Sequence, residues 1–136
     1  MQSNTEAGFD IEADRERNVL YIDLSGRLDA DAIREAADET VSAAETLRSG
    51  FDIVTDLRGF SPPSPDAAEP IGEAQQRVAE LGVDRVVRVS DENTSSVVEL
   101  AFERRSKEAG YSGETAESVE AAERRLGVAA RTSTFR

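Results

Sequence analysis

The residues able to do chemistry gather in one stretch, Phe51 to Asp66, which reads FDIVTDLRGFSPPSPD. Asp56 ends its apolar half, where a buried strand gives out into a loop. In open α/β sheets, ligands and partners collect at the carboxyl ends of strands. A carboxylate in that place suits phosphoacceptor chemistry. That chemistry also needs an acidic pair after the first strand and a lysine at the end of the last. The sole lysine, Lys107, falls on an expected helix. Asp29-Ala-Asp31 has the spacing of phosphatase and metal carboxylates, but it opens a helix, where acidic side chains complement the macrodipole. Arg58 sets a positive group beside Asp56, and Ser61 and Ser64 supply hydroxyls. Phe60 begins the loop, where it is either core or, if exposed, an anchor for a partner. Asp56, Arg58, Phe60, Ser61 and Ser64 are therefore the candidate partner-binding residues.

Histidine and cysteine are both missing. That removes the usual general base, the thiolate nucleophile and the usual transition-metal ligands. No glycine-rich nucleotide loop of the GxGxxG or GxxxxGK[ST] kind occurs. The chain is expected to be no enzyme and to carry no cofactor or metal.

The net charge is −12, and every basic residue but Lys107 is arginine. The acidic residues are spread over all the expected helices rather than gathered in a tail. Such a shell fits a salt-rich cytoplasm, because at ~1 M salt the Debye length shrinks to ~3 Å and self-repulsion is screened. The same charge disfavours duplex nucleic acid and anionic membranes. No apolar run approaches the ~20 residues of a membrane span. A cytoplasmic location is expected.

The elements that must position the loop can be read in order. Residues 1–7 are expected to be a flexible N-terminus, 8–127 one domain and 128–136 a flexible tail. Phe9, Ile11 and Ala13 alternate with acidic residues, and Val19 to Leu24 is more apolar, which predicts an antiparallel hairpin. The spacing of Ile33, Ala36, Ala37, Val41, Ala44 and Leu47 predicts a helix from Asp29 to Arg48. Strand Phe51–Leu57 follows, then the prolines Pro62, Pro63 and Pro65, through which neither strand nor helix continues. Ile71, Ala74, Val78 and Leu81 mark a second helix, begun by either Pro65 or Pro70 and ended by Gly82. Ser64 also fits a helix cap. Val83–Val89 predicts a strand, Val97 to Phe102 a helix stopped by Gly110, Tyr111–Ala116 an edge strand, and Ser118 the cap of a last helix. Strands alternating with helices give a mostly parallel five-stranded α/β sheet in the order ββαβαβαβα.

That order resembles the STAS fold of anti-sigma-factor antagonists and of the cytoplasmic domains of sulfate transporters. Asp56, Leu57, Gly59 and Phe60 are similar to the family's Asp-Leu-x-Gly-hydrophobic signature after a hydrophobic strand. The closing segment Ala116–Leu126 resembles a subgroup of small stand-alone SpoIIAA-like proteins, which have themselves been likened to lipid-binding CRAL-TRIO domains. The resemblance covers residues 8–127. It implies a regulatory module switched by a serine early in the helix after the central strand. Here that slot falls at Pro65, which has no hydroxyl, so the phosphorylation switch does not carry over.

Two functions are compatible with these features. One is a non-enzymatic regulatory module that docks a protein partner at Arg58–Pro65. The other is a carrier holding a small apolar, lipid-like ligand between the sheet and the Pro70–Leu81 helix. A homodimer is compatible with either.

Overall fold

The computed structural model describes residues 8–61, 68–92, 94, 96–111 and 113–128. The expected flexible N-terminus, the tail beyond Val128, and Pro62, Pro63, Ser64 and Pro65 lie outside these residues. The chain runs β1 (Gly8–Asp14), β2 (Val19–Arg27), α1 (Ala30–Ala44), β3 (Asp52–Asp56), β4 (Phe60–Ser61), α2 (Glu69–Glu80), β5 (Val86–Val89), α3 (Ser96–Ala109), β6 (Gly113–Ala116) and α4 (Val119–Leu126).

The hairpin β1–β2 is antiparallel, and every later pairing is parallel, in the order β1-β2-β3-β5-β6. One addition to the expected five strands is β4, which pairs with the end of β2 through Gly26↔Phe60 and Arg27↔Ser61. A two-residue strand has no periodicity to announce it; it exists because the loop folds back onto β2. The crossover helices α1, α2 and α3 pack on one another along one face of the sheet, and α4 covers the other. Strand alternation divides the core accordingly. Leu20, Ile53 and Val86 pack with Phe51, Ala44 and Val78 under α1 and α2, whereas Val19, Tyr21, Val54, Val87 and Val89 pack with Ala122 under α4.

The helix ends follow local chemistry. Asp29 Oδ1 accepts from Ala32 N at 2.8 Å, and Ser118 Oγ accepts from Ala121 N at 3.0 Å, so both expected caps form. Helix α1 ends at Ala44, sooner than the expected Arg48, because Thr46 N and Leu47 N turn to carbonyls three residues back. Asn18, in the left-handed region at φ 60°, bonds both the N–H and the carbonyl of Arg48. Helix α2 starts at Glu69 with Pro70 in its first turn, which decides between the two prolines. Its N-cap position is Ala68, with no side-chain cap. A hydrogen bond ties α4 to the sheet centre: Tyr21 Oη donates to Glu123 Oε2 at 2.6 Å, both residues being buried. Among the described residues no helix is long and apolar enough to cross a membrane.

Candidate functional site

At the carboxyl end of β3 the chain turns sharply. Phe60 N donates to Leu57 O at 3.0 Å, closing a four-residue turn whose third position is Gly59 at φ 79°. That angle suits glycine, which explains the glycine of the Asp-Leu-x-Gly-hydrophobic run. Gly26 N then donates to Gly59 O at 3.0 Å, stitching the turn to β2. Phe60 is buried, 3 % exposed, and meets Phe102 edge-on at 6.5 Å between ring centroids. It is therefore core that pins the loop, and not an exposed aromatic anchor. Asp56 and Arg58 form a clamp: Arg58 Nε and Nη2 donate to the two carboxylate oxygens at 3.0 and 2.7 Å, and Arg58 N donates to Oδ1 at 3.1 Å. The Arg58 side chain remains 39 % exposed, and Ser61 faces solvent. Ser64 lies outside the described residues.

Register extends this end of the sheet into a row of carboxylates. Asp10 stands opposite Asp23, and Asp23 beside Asp56, on neighbouring strands. By alternation all three point to the face that α4 covers, where they line a shallow cleft that Val119, at the start of α4, also borders. Burial pushes the Asp23 carboxyl up, Asp56 and then Asp10 push it further, and Arg58 opposes them. Arg58 also feels Asp91, at the end of β5, so the row continues across the sheet. Its sign invites a basic group. Among the described residues, however, no cluster of three carboxylates is placed to hold a metal ion.

A second polar site lies inside, under α1, α2 and α3. Arg88 sits mid-strand on β5 and is 3 % exposed. Its Nη2 donates to the Glu103 carboxylate on α3, while Nη1 is buried without a partner. Nearby on α2, Gln75 Nε2 donates to the Phe102 carbonyl at 3.4 Å, while Gln75 Oε1 is buried without a partner. Tyr111 completes the group: burial raises its phenol, and its bond with Gln75 opposes this, as does the Arg88 charge. Arg88, Gln75 and Tyr111 line a cavity walled also by Ile22, Ile33, Thr55, Ile71, Val78 and Phe102. Nothing in the spacing of candidate residues pointed to Arg88 or Gln75. The signal available was an arginine inside the β-branched run Val86-Val87-Arg88-Val89, where a parallel strand buried on both faces is normally apolar throughout.

No family model matches the sequence, and no curated protein gives a significant match. Solved structures do match. An uncharacterised DUF3478-family protein with a SpoIIAA-like fold from Shewanella loihica PV-4 superposes with a TM-score of 0.63 at 17% identity, covering 90% of this chain and 97% of that one. The phosphorylated form of the Bacillus cell fate determinant SpoIIAA gives 0.60 at 19% identity, covering 88% and 99%. The anti-sigma factor antagonist SpoIIAA in its unphosphorylated form gives 0.57 at 17%, covering 90% and 100%. At this level of identity the likeness speaks for architecture alone, and the architecture is that of the SpoIIAA-like, STAS-type fold.

Proposed function

We propose that this chain is a non-enzymatic, STAS-type protein-interaction module that docks a basic partner at the carboxyl end of its sheet. The observation that carries the reading is the locked turn from Asp56 to Ser61, which holds Arg58 and Ser61 outward beside the Asp10–Asp23–Asp56 row. A surface already ordered loses little entropy on binding. Arg58 is paired with Asp56 and offers its remaining donors to a partner's acceptor, while the acidic row attracts the partner's lysines and arginines. The likeness to an anti-sigma factor antagonist supports a regulatory role. Without a serine at position 65, docking does not depend on the phosphorylation switch. The lipid-carrier alternative is poorly supported by the interior: the cavity of ≈ 60 Å³, measured by the centre of a water-sized sphere, is too small for an acyl chain, and Phe60 does not line it.

The test is affinity capture from cognate lysate with wild type, an Arg58→Ala, Ser61→Arg variant, and Arg77→Ala on the exposed face of α2 as control. A partner retained by wild type and the control but lost from the double variant is expected. The same set of proteins on all three baits removes the docking claim. Intact-mass measurement of native protein is expected to show no phosphoryl group on Ser61 or Ser64.

A further inference from the structure

The interior cavity under α1–α3 combines three features that a plain packing defect lacks. It is lined by a charged side chain in the middle of a parallel strand, Arg88, whose buried Nη1 donor has no partner among the described residues. It contains an acceptor, Gln75 Oε1, also unpartnered, on α2. Apart from Thr40, Thr55 and the Tyr111 phenol, its remaining wall is aliphatic or aromatic. Buried polar atoms normally find partners, and an unmet one costs about 1–3 kcal/mol. Two such atoms of opposite hydrogen-bonding sense, on residues that line one cavity, call for a group that accepts from one and donates to the other.

We propose that this cavity is a binding site for a compact, uncharged aliphatic molecule bearing one hydroxyl, with the hydroxyl oxygen accepting from Arg88 Nη1 and its hydrogen donated to Gln75 Oε1. The charge of the ligand follows from Arg88 already being matched by Glu103. A ligand carboxylate would put a second anion beside one cation in a poorly solvated place, which is disfavoured. The ligand's size follows from the ≈ 60 Å³ open to the centre of a water-sized sphere. One water needs roughly 10–15 Å³ on that measure, so a few heavy atoms fit and a long chain does not. The aliphatic walls, from Ile22 and Ile33 to Val78, select a branched or short hydrocarbon body over a polyol. This site lies on the helix-covered face and is independent of the docking surface at the sheet end.

The experiment is amide-resolved NMR titration of the full chain with isobutanol, isobutyrate and xenon. Isobutanol is expected to shift Thr55, Val86, Arg88 and Phe102 saturably, with isobutyrate at least about ten-fold weaker. Gln75→Leu should weaken isobutanol roughly ten-fold, the value of one hydrogen bond, and leave xenon unchanged. Gln75→Met serves if the leucine variant does not fold, and the ranking of alcohol over acid in wild type decides without either. Isobutyrate binding as well as isobutanol would overturn the uncharged class. Xenon binding alone, or isobutanol unaffected by loss of the amide, would show an apolar void only. No saturable shift from any probe would show that solvent water satisfies both atoms, and that the site takes no ligand.

Discussion

The guanidinium of Arg88 lies where the side chain of Gly113 would be: a β-carbon built on Gly113 would fall 2.5 Å from Arg88 Cζ. The two residues are on adjacent parallel strands, β5 and β6. Glycine in a strand is usually a weakness, and here it is the space into which a buried charge fits. Gly113→Ala is expected to destabilise by about 1–3 kcal/mol through overpacking. Arg88→Met should relieve part of that loss in the double variant, because the two changes share one site. Urea denaturation of the four proteins checks this, and strict additivity would contradict it.

Asp23 makes folding prefer its protonated form. Burial raises its carboxyl above the ordinary 3.8, as do Asp56 and Asp10. A carboxylate raised in the folded state binds its proton more tightly there than in the unfolded chain, so stability falls as pH rises from 3.8 through the folded value. Asp23→Asn is therefore expected to raise the melting temperature at pH 7 and to lose that advantage below about pH 4. An equal difference at both pH values would contradict the linkage.

Tyr21→Phe removes the hydroxyl that reaches Glu123 across the sheet–helix interface. Because a hydrogen bond to a charged acceptor contributes roughly 1.5–3 kcal/mol, the variant should lose about that much. Amides of α4 should also exchange faster than those of α1. Uniform loss of protection over both helices would show that α4 is not separately held.

The acidic shell is expected to make folding salt-dependent. With a net charge of −12 on 136 residues, self-repulsion is expected to lower the melting temperature in millimolar salt and to be screened in molar potassium chloride. Circular dichroism melts across the titration check this; an unchanged midpoint contradicts it.

Much of the fold is legible in the chain because its signals are local. The alternation of Phe9, Ile11 and Ala13 gives β1, the caps Asp29 and Ser118 start α1 and α4, and Gly127, at φ 73°, closes α4. The site is less legible because it is made by distant contacts. Phe60 reads equally as core or anchor until Phe102, on another helix, fixes it as core. The clamp of Arg58 on Asp56 is two residues long and could be anticipated. Arg88 could not be placed, since its burial depends on Glu103 on α3 and on the missing side chain at Gly113. Strand β4 escapes because two residues carry no period and its pairing is set by the fold-back of the loop.

The hairpin strand β1 lies at one end of the sheet order, so among the described residues its outer backbone groups have no neighbouring strand. An open edge of this kind templates the pairing of a second chain. Asp10, Glu12 and Asp14 alternate along it, so two such edges brought together would set carboxylates of both copies side by side. Repulsion between edges then acts as a guard against strand-to-strand aggregation. That guard is expected to weaken in the same molar salt expected to steady the fold, so the conditions that best favour the fold would also least oppose the stacking of copies into fibres.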